Sequence, residues 1–270
     1  MTILWVIFLF LLGTCMGSFA IAHVWRFRAT QKPDSKKLCH VKNDRSHCMK
    51  CGYRLRWVDL MPILSWVCLQ GKCRKCKSNI GWLELTAEVA LGALFVASYL
   101  LWPYDFGFWG IMMFIVWLLS LVVMTILFAY DLKWSLLPSL CLYFLLVCSV
   151  LFLSFSWLQD GFVTGQIWTL LGAIALLPGV YALLHIISKG AWVGDGDYIL
   201  ALSLALFLAD WRLAFAVLFL ANLLGSFVGI VGVMANRLDR KSRIPFGPML
   251  IVALLIVFFL QEQVTSLFPF

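Results

Sequence analysis

A chain of 270 residues in which 63% of the side chains are hydrophobic and only 13% are charged is not an ordinary soluble domain, because soluble domains carry about 25% charged residues. The mean hydropathy of +0.96 indicates a polytopic membrane protein instead. Lys and Arg exceed Asp and Glu by 21 to 13. We attribute the resulting net charge of +8 to membrane orientation and contact with anionic lipid rather than to nucleic-acid binding.

Eight apolar runs are candidates for membrane-spanning helices, since crossing a hydrocarbon core of ~30 Å takes about 20 residues. They lie near 3–22, 83–102, 108–129, 136–157, 167–187, 198–210, 213–234 and 246–262. The sixth is unusually short. The first has no basic segment before it and no A-x-A site after it, so we interpret it as a retained helix rather than a cleaved signal peptide. The sequence thus predicts an all-α membrane protein with about eight transmembrane helices.

Basic residues set the expected orientation. Fourteen of the 21 Lys and Arg residues lie between Arg26 and Lys77, and cytoplasmic loops carry an excess of these residues. We therefore expect this segment on the cytoplasmic side, and alternation of the spans brings Asp131 and the stretch 194–197 to the same side. The predicted domains are a first transmembrane helix at 1–25, a cytoplasmic loop domain at 26–82, and a seven-helix membrane domain at 83–270.

Two C-x-x-C pairs mark the loop domain. Cys48 pairs with Cys51 and Cys73 pairs with Cys76, with 21 residues between the pairs. Two such pairs can supply four thiolates to a tetrahedral zinc ion. Four protein ligands leave no open coordination position, so the predicted zinc site is structural and stabilises a small insertion between the first two spans.

Other interpretations of the cysteines fit less well. Disulfides would need an oxidising compartment, and a thioredoxin-like redox role would need a βαβ unit that the pattern lacks. Cys39 could replace Cys48 as a ligand, although it has no paired partner. His40 and His47 flank the first pair and are interpreted as solvated loop residues.

Two aspartates lie where predicted spans meet the cytoplasmic border. Asp131 ends the third span in FAYDLKWSLLP, and Asp197 closes the stretch GDGD at the start of the sixth. Two carboxyls that share a site cannot both ionise, so one can act as an acid while the other activates water. Gly194 and Gly196 would permit unusual backbone angles and the close approach of an extended peptide. The alternative is that both acids are helix-end residues in the headgroup region.

Five motifs follow one another along almost the whole chain. They are GSF at 17–19, SHCMKCGYRLRWVDLMPILSWVCLQGKCRKC at 46–76, DLKWSLLP at 131–138, GDGD at 194–197 and RIPFGP at 243–248. In this order they resemble the type IV prepilin peptidases, which belong with the GxGD-type intramembrane aspartic proteases. GxGD alone would be a weak signal, but five ordered motifs are a specific one.

The resemblance implies an aspartic endopeptidase of the bacterial inner membrane. Such enzymes remove the basic leader from prepilin or pseudopilin precursors at the cytoplasmic face, and members with a long first cytoplasmic loop are usually bifunctional and then methylate the new N-terminus with S-adenosylmethionine. Carried over by motif, Asp131 and Asp197 are the catalytic pair, supported by Gly194 and Gly196. Glu88 matches a family acid that we associate with methyl transfer. The implied zinc ligands are Cys48, Cys51, Cys73 and Cys76.

Two other functions remain open from the sequence. A metal-dependent membrane transferase could use Asp195 and Asp197 as a D-x-D magnesium pair. An ion-coupled transporter could use Asp131 and Asp197 as a proton or ion relay. The chain also departs from the family pattern at Glu84 and Ile199, where tyrosine and lysine are common.

Overall fold

The computed structural model describes residues 2–31, 46–48, 50–190, 193–235 and 245–267. Within these ranges the chain forms ten α-helices, one short 3-10 helix at Trp57–Leu60, and no strand. The α-helices are α1 Thr2–Gln31, α2 Leu64–Cys68, α3 Trp82–Leu100, α4 Phe108–Trp134, α5 Ser139–Asp160, α6 Thr164–Ser188, α7 Asp195–Leu208, α8 Trp211–Met234, α9 Gly247–Phe259 and α10 Gln261–Ser266.

Each of the eight predicted spans coincides with one of these helices, which confirms an all-α, multi-pass membrane protein. Six helices are long and apolar enough to cross a membrane by themselves, namely α1, α3, α4, α5, α6 and α8. The other two, α7 and α9, have only 14 and 13 residues, so each extends about 20 Å. Large apolar side chains such as Leu140, Trp168 and Phe227 are exposed on the long helices, as expected for helices that lie in lipid.

The chain divides into two compact units, residues 1–101 and 102–270. In the first unit α1 packs along α3. A Cβ added at Gly13 would lie 2.8 Å from the Cα of Gly92, and one added at Gly17 would lie 2.7 Å from the Cα of Glu88. Glycines one turn apart thus let two helix backbones approach closely. Gly17 begins the GSF motif, so close packing gives a physical reason for that glycine.

Helix α3 therefore clusters with α1, whereas the sequence-based division at 82/83 grouped it with the later helices. Helix α1 also continues to Gln31, beyond the expected end of the first span. The chain between α1 and α3 contains both C-x-x-C pairs. Residues 32–45 and Met49 lie outside the described residues, and so do Cys39 and His40.

The second unit is a helical bundle around an aromatic core. Helix α4 packs on α5 and α9, α7 packs on α5 and α6, and α8 packs on α6 and α9. Trp117 and Phe258 are stacked with ring centroids 3.8 Å apart, and Phe152 and Phe207 close the cluster. All four side chains are buried. The core fixes α4, α7 and α9 in one unit, and these are the helices that carry the three C-terminal motifs.

Candidate metal centre and candidate active site

The two C-x-x-C pairs sit on hairpins of equivalent backbone geometry. The amide of Cys48 donates to the carbonyl of Tyr53, and that of Cys73 donates to Ser78, both at 2.8 Å. Isolated bridges pair His47 with Arg54 and Lys72 with Asn79, at the same offsets from each first cysteine. The residue after each second cysteine adopts a positive φ, 66° at Gly52 and 56° at Lys77. Each hairpin therefore presents its two thiols in the same way.

The four thiols converge on one point. The Sγ atoms of Cys48, Cys51, Cys73 and Cys76 all lie within 4.8 Å of one another, and those of Cys48 and Cys76 are 3.8 Å apart. A tetrahedral ion with sulfur ligands at about 2.3 Å has sulfur–sulfur edges of about 3.8 Å. The residues present therefore fit a four-thiolate metal ion. No histidine belongs to this group among the described residues.

One of these thiols is biased towards the ligand form. The hydroxyl of Ser78 lies 3.0 Å from the Sγ of Cys76, and this hydrogen bond lowers the pKa of Cys76 to about 6. A thiolate is the form that binds a metal. Ser78 therefore supports the cluster from outside the set of ligands.

An ion pair between buried Asp59 and half-exposed Arg74 stabilises the second hairpin. Asp59 accepts hydrogen bonds from Nε of Arg74 at 2.8 Å and from the amide of Arg56 at 3.1 Å. Its side chain is only 2% exposed, and a buried carboxylate needs such partners. Sequence reasoning missed Asp59, because its partner Arg74 lies fifteen residues away and only the fold reveals the pairing.

Glu88 holds a strained turn. The Oε2 atom of Glu88 accepts a hydrogen bond from the amide of Ile63 at 2.8 Å, and Glu88 is buried in the interface of α1 and α3. Ile63 has φ 60° and ψ −54°, and the amide of Leu64 donates to the carbonyl of Pro62. These contacts define a γ-turn with a positive φ at its central residue, which is the rarer of the two γ-turn forms. Because that residue is β-branched, the conformation costs roughly 1–3 kcal/mol. Such a turn persists only where its surroundings fix it.

The same segment borders a cavity of about 640 Å³, within the range of small-molecule sites. Its wall includes Ser18, Trp66, Glu84, Glu88 and two of the four clustered cysteines. Two buried polar atoms here, Nε1 of Trp66 and Oε2 of Glu84, have no hydrogen-bond partner among the described residues. A cavity of this size with unsatisfied polar atoms can accept a small polar ligand.

Asp131 lies in the last turn of α4 and is buried, with 4% exposure. Its Oδ2 atom accepts a hydrogen bond from the amide of Gly247 at 3.0 Å, at the start of α9. A Cβ added at Gly247 would lie only 2.8 Å from this oxygen. The glycine of the RIPFGP motif is therefore required by the close approach of a carboxylate. Arg243 and Ile244 of that motif lie outside the described residues.

Asp197 lies in the first turn of α7, and its Oδ2 atom accepts a hydrogen bond from the amide of Gly194 at 3.0 Å. Asp131 thus lies at the end of α4 and Asp197 at the start of α7. Leu137 joins the two sites, because a Cβ added at Gly196 would lie 2.8 Å from Leu137 Cβ and one at Gly247 would lie 3.4 Å from Leu137 Cδ2. The three C-terminal motifs thus meet around a pair of carboxylates.

The glycines of GDGD differ from the expectation of unusual backbone angles. Gly194 has φ −76°, and Gly196 is not among the described glycines with positive φ. Gly196 instead provides room for the Leu137 side chain. Asp195 points away from the pair, with a side chain that is 83% exposed, and its Oδ1 lies 3.1 Å from Nε2 of His185.

We expect Gly247→Ala to impair whatever chemistry Asp131 performs. The added methyl group would displace the Asp131 carboxylate and weaken its hydrogen bond to the amide of residue 247, at a cost of about 1–3 kcal/mol. The rate of that chemistry should fall at least about tenfold. Gly165→Ala is the matched control, since a Cβ there meets nothing within 4 Å. Equal activity in both variants would contradict the packing argument.

Comparison with known proteins places these features in a family. The bacterial peptidase A24 N-terminal domain matches residues 11–102, which is nearly the whole first unit. A prepilin leader peptidase/N-methyltransferase of Pseudomonas aeruginosa is 26% identical over 94% of this chain and 90% of its own length. That of Stutzerimonas stutzeri is 26% identical over 82% of this chain and 73% of its own length, and that of Burkholderia pseudomallei is 30% identical over 76% and 64%.

The first unit carries a bacterial peptidase A24 N-terminal domain, and the chain as a whole is similar to prepilin leader peptidases/N-methyltransferases. The Pseudomonas aeruginosa alignment covers 94% of the chain, so it must include the positions of both Asp131 and Asp197. The similarity to these relatives thus extends over both units. No solved structure matches the chain.

Proposed function

We propose that this chain is a membrane aspartic endopeptidase that removes the basic leader from type IV prepilins or pseudopilins and then methylates the new N-terminus. The observation that carries the proposal is that the motifs of Asp131, Asp197 and Gly247, which come from three different helices, meet at Leu137. The names of the relatives, prepilin leader peptidase/N-methyltransferase, support it.

The peptidase step would follow from the pair. Two neighbouring carboxyls retain one proton between them. The ionised member takes a proton from water, whose oxygen then forms a bond to the scissile carbonyl carbon, while the protonated member donates to the carbonyl oxygen. Breakdown of the tetrahedral intermediate returns a proton to the leaving amine. The amides of Gly194 and Gly247 each hold one carboxylate in place.

The membrane environment of this reaction is also proposed. The basic segment between Arg26 and Lys77 supports a cytoplasmic location for the cysteine cluster, by the excess of Lys and Arg in cytoplasmic loops. Alternation of the helices then brings the aspartates to the same side of the bacterial inner membrane. A leader rich in basic residues would meet them there before translocation.

We propose zinc as the ion of the four-thiolate cluster. Zinc prefers tetrahedral sulfur coordination and needs no open position in a structural site. When bound, it would crosslink the two hairpins. Cys48, Cys51, Cys73 and Cys76 would hold it as thiolates, and Ser78 would stabilise the thiolate of Cys76.

Methyl transfer is assigned to the first unit. S-adenosylmethionine would supply the methyl group, and the cavity beside Glu88 has a suitable volume and unsatisfied polar atoms. We expect Glu88→Gln to lower methylation at least about tenfold and to leave cleavage within about twofold, because a neutral amide holds the Ile63 turn less strongly than a carboxylate does. Thr86→Ala, on an exposed position of the same helix, is the control. Mass spectrometry of the product's N-terminus measures both steps.

A second variant tests whether cleavage and methylation use separate sites. Asp197→Ala protein, given a peptide that has already been trimmed, should still methylate it. Loss of methylation in this variant would mean that the two reactions share one site.

One assay distinguishes the proposed peptidase from the two alternative functions, a metal-dependent membrane transferase and an ion-coupled transporter. A synthetic precursor peptide with a basic leader, a glycine at the junction and an apolar segment is incubated with membranes that contain the protein, with and without magnesium chelation. An aspartic peptidase cleaves after the glycine in both conditions. A magnesium-dependent transferase using Asp195 and Asp197 loses its activity on chelation, and a transporter cleaves nothing.

A further inference from the structure

His185, near the end of α6, has acceptors at both ring nitrogens. Its Nδ1 lies 2.9 Å from the carbonyl oxygen of Val193, and its Nε2 lies 3.1 Å from Oδ1 of Asp195. A carbonyl and a carboxylate can only accept hydrogen bonds, so each ring nitrogen must carry a hydrogen when both bonds form. A hydrogen on Nδ1 is sufficient for the bond to Val193.

The two hydrogen bonds of His185 differ in how much they stabilise the structure. The side chain of Asp195 is 83% exposed, and an ion pair in that position contributes little because water screens it. The hydrogen bond to Val193 differs because its acceptor is a backbone carbonyl oxygen, so it can fix the orientation of a peptide plane. His185 itself is only 25% exposed in its side chain.

The Val193 carbonyl belongs to the same planar peptide unit as the amide of Gly194. That amide donates to Oδ2 of Asp197 at 3.0 Å. A hydrogen bond on the carbonyl end polarises the unit and strengthens the donor at its other end. His185, the Val193–Gly194 peptide and the Asp197 carboxylate therefore form one chain of hydrogen bonds.

The local backbone accommodates the ring. Gly190 has φ 77°, and a Cβ added there would lie 3.3 Å from Cε1 of His185. The amide of Gly190 also donates to the carbonyl of His185 at 3.0 Å. On the other side the ring faces Tyr198 of α7, with centroids 5.6 Å apart. The ring thus occupies a fitted position between the end of α6 and the start of α7.

We propose that His185 is a positioning residue for the peptidase step, which fixes the peptide plane that holds the Asp197 carboxylate. The proposal rests on the proposed role of Asp197 in cleavage. His185 touches neither carboxylate of the pair and acts through the Val193–Gly194 peptide. Its loss should therefore lower kcat while KM for the peptide changes little, because the substrate is bound elsewhere.

Three variants of His185 test this assignment. Asparagine carries its amide nitrogen on Cγ, as histidine carries Nδ1, so His185→Asn can still donate to Val193. Glutamine carries its nitrogen one bond further out, as histidine carries Nε2, so His185→Gln keeps only the bond to Asp195. His185→Leu keeps neither bond. We expect kcat to fall roughly tenfold to a hundredfold in the Gln and Leu variants and to stay within about threefold in the Asn variant.

Asp195→Asn completes the experiment, and it should retain most of the activity because it removes only the charge of an exposed ion pair. Equal kcat in the wild type and His185→Leu would overturn the proposal, and so would a loss that is as large in the Asn variant as in the Gln variant. If instead Asp197→Asn remains active, the proposed peptidase site itself is wrong. The two failures are thus distinguishable from one set of proteins, with helix content and zinc content checked in each.

Discussion

Asparagine at position 131 or 197 should abolish cleavage of a precursor peptide. Each substitution keeps the size of the side chain but removes either the acid or the base, and general acid–base catalysis contributes roughly 10²–10⁴-fold to such reactions. Asp131 is buried, and its carboxylate is held by a single backbone amide at the start of α9. The amide group of asparagine can still accept that hydrogen bond, so the loss should reflect chemistry rather than misfolding. Rates are measured with the synthetic peptide under single-turnover conditions.

Asp195→Asn is the matched control for both variants, because it changes the same functional group two residues away on an exposed position. It should retain much of the activity. Full activity in Asp131→Asn or Asp197→Asn protein that is correctly inserted and metal-loaded would refute the catalytic assignment. Loss in Asp195→Asn alone would favour the D-x-D magnesium pair.

Replacing Cys73 and Cys76 by serine should abolish metal binding and open the segment between α1 and α3. Wild-type protein should contain one zinc ion per chain by elemental analysis, and the double variant should contain none. Structural zinc sites bind with apparent free energies of about 10–16 kcal/mol at pH 7, and this energy is also folding energy. Limited proteolysis should therefore cut the variant between residues 46 and 80 at protease concentrations that leave the wild type intact.

The membrane helices should survive this change, because each satisfies its own backbone hydrogen bonds. Helix content by circular dichroism should be nearly unaltered. Cys68→Ser is the control, since Cys68 is an exposed free thiol outside the cluster. Absence of zinc from the wild type, or an unchanged zinc content in the double variant, would contradict the assignment.

The sequence predicted those features that local patterns encode. All eight apolar runs became helices because hydropathy alone decides which segments lipid can solvate. The four cysteines came together as expected, since paired C-x-x-C hairpins carry their own geometry. The convergence of Asp131 and Asp197 was inferred from topology and motif resemblance.

Contacts between distant segments were not predictable in this way. The hydrogen bond from Gly247 to Asp131 joins residues 116 positions apart, and no local sequence pattern predicts it. The same holds for the bond from Ile63 to Glu88, 25 positions apart, which stabilises a backbone conformation that isoleucine ordinarily avoids. His185 gave no signal beyond its place at the end of a span, because its partners belong to the backbone and to the variable position of GxGD.

The twin hairpins have a consequence for ligand recognition in the first unit. The 21 residues between the two C-x-x-C pairs include Asp59 and Trp66, which form part of the cavity wall. An ion that joins the hairpins closes this stretch into a loop, so the entropy of ordering it is lost when the metal binds rather than when a ligand arrives. A preorganised wall allows more of the contact energy to appear as affinity. The metal, although its four protein ligands leave no open coordination position, would then set how tightly a small molecule is held in the cavity.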